Sequence, residues 1–240
     1  NNGYLKVTVS PGNGGFGIRT VEGDKTTKSD NDQYLVFEYD EDNTSFTSFQ
    51  VTRNGATKEY IFGGRYPGSS GVTVTREVDD LVATWSVADL TFRQVLTLVK
   101  SGSNEHGTVQ ISYEVENNGA PAQIKARILM DTALGYQDYA YYRIGKNYLE
   151  QETALDADDY SKSFYAVTDP YSPRIVAYTI NGSIDNRECA PYRTVFAHWN
   201  NLASTVFDYT PDENMTFTNF NNAKYLTSDS AYAQYFDLGE

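Results

Sequence analysis

The middle of the chain alternates apolar and polar residues with a period of two. Val72 and Val74 alternate with Thr73 and Thr75, and Val109, Ile111, Tyr113 and Val115 alternate with Gln110, Ser112 and Glu114. Ile124, Ala126, Ile128 and Met130 resume the pattern, with Lys125 and Arg127 predicted to point outward. Strict alternation marks a strand with one buried face. Turn chemistry separates the runs: Asp79-Asp80, Ala88-Asp89, a longer loop at 101–104, with His106 expected in the same hairpin connection, and Asn117-Asn118-Gly119. The pattern predicts an antiparallel meander from Val72 to Asp131.

Further strands are predicted over residues 4–9, 16–21, 34–39, 46–51, 59–62, 164–167, 174–180, 194–199 and 231–236. No segment shows long helical periodicity, and short helical turns are expected near 156–162 and 201–204. Short strands at intervals of about 8 to 12 residues point to a sandwich or barrel. The expectation is an all-β fold, a large antiparallel β-sandwich that could be supersandwich-like. Residues 1–240 read as one domain, and the polar stretch 151–162 is the best alternative break.

Composition narrows the partners. The chain has 240 residues, 40% hydrophobic and 21% charged, ample for a packed core. A net charge of −13 repels phosphates, so nucleic acid and anionic membranes are poor partners, whereas a neutral ligand is not repelled. No apolar stretch approaches the roughly 20 residues of a membrane span, so no membrane insertion is expected. The single cysteine, Cys189, cannot staple its own chain. The abrupt ends suggest part of a larger multidomain chain. Twenty tyrosines and twelve phenylalanines bring aromatic residues to 14%, and Tyr suits both strands and wet binding surfaces.

Complete catalytic constellations are missing. Residues 12–17 match G-x-G-x-x-G, but a strand follows where a dinucleotide site needs a helix. His106 and His198 have no nucleophile elbow to partner them, and two His with one Cys lack zinc spacing. Glycosidases need two carboxyl groups roughly 5 to 9.5 Å apart, a distance that sequence cannot supply. Asp131, Asp138, Asp169 and Asp208 are candidates beside aromatic residues. No cofactor is expected, although acidic loops could bind calcium, with Asp156, Asp158 and Asp159 as candidates. The three N-x-Ser/Thr sequons, at Asn43, Asn181 and Asn214, decide nothing.

The densest aromatic feature is Tyr136-Gln137-Asp138-Tyr139-Ala140-Tyr141-Tyr142. Alternation sets Tyr139 and Tyr141 on one face and Tyr142 on the other. Rings stack on the C–H faces of sugars, while Gln137, Asp138 and Arg143 would bond hydroxyls. Tyr165, Tyr171, Trp199 and Asn200 complete the candidate ligand-binding set.

Arg127 to Asp138 spells R-x-x-x-D-T-x-L-G-x-x-D, followed by Trp199-Asn200 and Asp229-Ser230-Ala231. These residues resemble a β-rich domain of bacterial cell-surface proteins over roughly the second half of the chain. Small residues usually follow the last Asp of that motif. Tyr139-Ala140-Tyr141-Tyr142 stand here instead, and the departure could mark a ligand site. The strand–Asn–Gly–strand pattern more loosely resembles mutarotase-like and polysaccharide-binding sandwiches. The mutarotase His motif is absent, so epimerase activity is not implied. The acidic, Tyr- and Asn-rich style resembles non-catalytic carbohydrate-binding modules that adhere to starch or plant fibre. The resemblance implies an extracellular or cell-surface bacterial protein that binds a neutral polysaccharide or oligosaccharide, either starch/α-glucan or a plant cell-wall glycan, without cutting it. The alternatives are a glycoside hydrolase or mutarotase-like enzyme using paired carboxylates, and a structural or protein-adhesion domain.

Overall fold

The computed structural model describes residues 3–23, 26–38, 43–64, 71–101, 105–156, 164–168, 176–177, 190–215 and 229–240. The strands among them are β1 (Leu5–Val9), β2 (Phe16–Thr20), β3 (Tyr34–Val36), β4 (Phe46–Arg53), β5 (Ala56–Ile61), β6 (Thr73–Glu77), β7 (Asp80–Val87), β8 (Leu90–Ser101) and β9 (Glu105–Asn117). They continue with β10 (Gln123–Thr132), β11 (Tyr141–Ile144), β12 (Asn147–Tyr148), β13 (Thr153–Asp156), β14 (Phe164–Val167), β15 (Val176–Ala177), β16 (Arg193–His198) and β17 (Ser230–Gly239). One five-residue helix, α1 (Trp199–Ala203), follows β16. The fold is all-β and sandwich-type, and every named strand pair is antiparallel.

A six-stranded sheet, ordered β13-β16-β17-β10-β4-β5, forms the centre. Three smaller sheets, β1-β2-β3, β6-β7-β8-β9 and β12-β11-β14-β15, accompany it. Ile128 and Met130 of β10, Phe196 of β16 and Tyr232 of β17 bury against Phe16, Leu96, Tyr142 and Phe164 from the smaller sheets. Toward the β4 side, Phe49 stacks on Phe92 at 4.1 Å between ring centroids, and Trp85 and Phe62 close the same cluster. The glycine-rich 12–17 segment is a turn, closed by Ser10 N–H donating to the Gly15 carbonyl at 2.7 Å, and it leads into β2 rather than a helix.

The predicted meander holds for β6 to β9, and the next strand departs from it. β10 joins the central sheet between β17 and β4 instead of pairing with β9. The link from Asn118 to Ala122 contains Pro121, which has no N–H for a ladder, and Ala122 is buried in the aromatic cluster. The chain thus turns a corner of the sandwich here. β9 begins at Glu105, so His106 lies in a strand rather than in the loop. The turn expected at Asp79-Asp80 lies one residue earlier. Asp80 pairs with Glu77, leaving Val78 and Asp79 at the tip.

Arg127 corrects the expected outward pattern of β10. It is fully buried on the second face of the sheet. The segment from α1 to Phe207 roofs that face, where Leu202, Ala203 and Phe207 pack on Leu129, Val195, Ala197, Ala231, Ala233 and Tyr235. The Arg127 guanidinium donates from Nη2 to the Leu202 carbonyl at 2.6 Å. Its Nη1 donates to the carbonyls of Thr205 at 2.8 Å and Val206 at 3.2 Å. It therefore satisfies carbonyls left open where the short helix ends. Tyr235 adds a hydroxyl donated to the Phe207 carbonyl at 3.1 Å.

Two stability changes are expected. Arg127→Met removes the charged donor from these carbonyls, although Ser48 Oγ still donates to that of Val206 and Thr205 to that of Leu202, and should lower unfolding free energy by roughly 2 kcal/mol, read as a lower urea midpoint at unchanged slope. Val78, 89% exposed, holds a φ of 56° that disfavours a β-branched residue. Val78→Asn should raise stability by about 1 kcal/mol in the same assay.

Candidate functional site

The residues that carry the sequence resemblance converge at one end of the β10–β17 pair. Register sets Asp131 opposite Ala231 and Thr132 opposite Ser230, so Asp229 arrives beside the end of β10. Ser230 also lies opposite His198 on β16, and Trp199 N–H donates to the Asp229 carbonyl at 3.1 Å. The third member, Asp138, comes from the turn that follows β10.

That turn is tightly held. Leu134 and Gln137 exchange backbone hydrogen bonds at 2.9 and 3.2 Å, and Gly135 N–H donates to the Tyr34 carbonyl at 2.9 Å. Gly135 has a φ of 67°, a conformation that suits a residue without Cβ. Leu134 is buried in the core beneath. On the return, Ala140 N–H donates to Ser230 Oγ at 2.6 Å, pinning the loop to β17. Tyr136 is left at the tip with 89% of its surface exposed.

Carboxylate oxygens of Asp131, Asp138 and Asp229 lie within 4.8 Å of one another. Asp131 is buried, Asp229 half-buried and Asp138 exposed. Thr44 Oγ1 donates to Asp131 Oδ2, Ser45 Oγ accepts from Asp131 N–H at 2.9 Å, and Phe37 N–H donates to the Asp131 carbonyl at 2.9 Å. Asp131 Oδ1 and Asp229 Oδ1 are buried without a hydrogen-bond partner among the described residues. Burial raises the Asp131 carboxyl well above its ordinary range, and the Asp229 charge adds to the rise. Burial pushes Asp229 up to about 7, with Asp138 adding. Burial also raises Asp138, opposed by the charge of His198. His198 Nδ1 accepts from Asn200 N–H at 3.2 Å.

The other expected ligand residues separate into surface and core. Tyr139 and Tyr141 meet edge to face at 6.0 Å and are half-buried. Gln137 is half-buried in the turn. Tyr142, on the opposite face as alternation predicts, is fully buried, and its hydroxyl pairs with Thr132 Oγ1 at 2.7 Å. It is a core residue, which corrects its inclusion among ligand contacts. Tyr165 lies 4.8 Å beneath the Arg143 guanidinium. Trp199 packs at the margin of the roofed core, and Asn200 is exposed. Asp156 is exposed at the end of β13, opposite Arg193, and Asp208 is exposed on the roof segment. Tyr171, Asp158, Asp159 and Asp169 lie outside the described residues.

Sequence reasoning missed Glu152, which is buried in a stretch that reads as a polar acidic linker. Its carboxylate accepts from His198 N–H at 3.1 Å, Asn201 Nδ2 at 2.8 Å, Tyr209 Oη at 2.6 Å and Asp212 N–H at 3.1 Å. It fixes α1 against β16, and no local pattern announces partners so far along the chain. Compared with protein-family models, curated proteins and solved structures, the chain matches none.

A carboxyl raised in the folded state holds more protons folded than unfolded between its two values. The contribution of Asp229 to stability therefore falls as pH rises from 3.8 through about 7 and levels off above. In chelator-treated protein, Asp229→Asn should flatten this slope and raise the melting temperature near neutral pH. An unchanged slope would show that Asp229 does not carry it.

Proposed function

We propose that the domain binds a neutral polysaccharide, starch-like or from plant cell walls, without cutting it, as part of an extracellular or surface protein of a bacterium. The observation that carries this reading is Tyr136, 89% exposed on a turn whose base is fixed by backbone hydrogen bonds. An exposed ring on a rigid support stacks on a sugar face at little entropic cost. Gln137, Asp138, Tyr139 and Tyr141 stand on the same segment and supply polar groups and further ring surface. The net charge of −13 leaves neutral glycans as the unrepelled class.

Affinity electrophoresis through gels containing starch, xyloglucan, xylan or mannan tests the reading. Retardation by at least one of them is expected, and Tyr136→Ala should weaken it by about tenfold, the equivalent of roughly 1.4 kcal/mol. No retardation by any of the four sinks the reading.

A second reading, hydrolysis by paired carboxylates, draws on the closeness of Asp138 and Asp229 and on the raised Asp229 carboxyl. Asp131 is 4% exposed, too buried to touch a sugar, so Asp138 and Asp229 would have to form the pair. Release of reducing sugar that disappears in Asp138→Asn would favour this reading over simple binding.

A further inference from the structure

We propose that Asp131, Asp138 and Asp229 hold one hard divalent cation of calcium's size. Three carboxylates supply oxygens mutually within 4.8 Å. Oxygens bound to calcium at about 2.4 Å lie up to about 4.8 Å apart across the ion, so this spacing fits around a single centre. Magnesium demands near-ideal octahedral geometry at about 2.1 Å and dehydrates reluctantly, whereas calcium accepts irregular sets of carboxylate oxygens and waters. Zinc favours nitrogen and sulfur donors, and this set is all oxygen.

The cluster also contains an unanswered acceptor. Asp131 is only 4% exposed, Thr44 occupies its Oδ2, and Oδ1 has no hydrogen-bond partner among the described residues. Asp229 Oδ1 is buried in the same condition. Buried carboxylate oxygens are costly unless paired, hydrogen-bonded or bound to metal. Lys6, Arg19, Arg53 and Arg93 pair with other carboxylates, namely Glu38, Asp32, Asp89, Glu77 and Glu114. A cation would answer both orphan oxygens and offset the like charges together.

Access is built in. Asp138 is exposed at the mouth and Asp131 forms the floor, so an ion enters from solvent and keeps water on its outer side. The ligands come from the end of β10, the turn behind Tyr136 and the start of β17, so the ion ties three segments at one point. This site shares no residue with the acidic 156–159 stretch, and ion binding does not require a bound glycan.

The test is calcium titration of chelator-treated full chain by isothermal calorimetry, alongside thermal melting. Saturable binding of one calcium per chain is expected, with a melting temperature that rises with calcium concentration. Asp138→Asn should weaken binding at least tenfold; because Asp138 is exposed, this variant should fold even where Asp229→Asn does not. Asp156→Asn should bind as the parent does. The proposal is overturned by absence of calcium binding, by undiminished binding in Asp138→Asn, by loss in Asp156→Asn instead, or by tighter binding of magnesium than of calcium. Glycan retardation is scored separately, so either property can fail alone.

Discussion

The guanidinium of Arg127 is the interaction on which the architecture turns. A sheet covered on one face would leave Leu129, Val195 and Ala233 in water. The 199–207 segment covers them, but a short helix and its exit bring carbonyls into a buried setting. Arg127 reaches those carbonyls from below, at Leu202, Thr205 and Val206. Its planar fork suits several acceptors held at fixed angles, which a lysine ammonium would serve less well. The six-stranded sheet can then be apolar on both sides and act as the middle layer.

The same strand carries the opposite charge. Arg127, Leu129 and Asp131 share one face of β10, so the cation and the carboxylate stand about 13 Å apart, by strand rise, with a leucine between them. That separation is too great for an ion pair. Arg127 is satisfied by the roof, and Asp131 is left to the group gathered at the strand's end. Glu152 serves the roof from its other side, where four donors use its oxygens. The two buried acids therefore behave differently. One is answered by the protein; the other has an oxygen to spare.

Much of the fold was legible in the sequence because β6 to β9 keep one buried face and turn at short hairpins. The Tyr139/Tyr141 versus Tyr142 division was legible for the same reason: parity along a strand is local information. Arg127 was not legible, because its partners lie 75 to 79 residues further on and nothing near Arg127 signals a roof. The path of β10 was misread because its alternation is genuine while the Pro121 link sends it to another sheet. At the site, Asp131, Asp138 and Asp229 all belonged to the residues that carried the resemblance, yet their meeting depends on the β10–β17 register. Val78 displaced a turn by one residue because the neighbouring Asp79-Asp80 looked chemically better suited to it.

The position of β17 also has a consequence for how the molecule comes together. Among the described strands it comes last in chain order, yet it lies inside the sheet, flanked by β10 and β16. Until it inserts, β10 and β16 present unpaired edges, and strands of that kind invite wrong pairings. Closing the sheet joins segments about a hundred residues apart, a non-local step of the sort that slows folding. Insertion of β17 and delivery of Asp229 are one event, so the carboxylate group reports completion of the sheet.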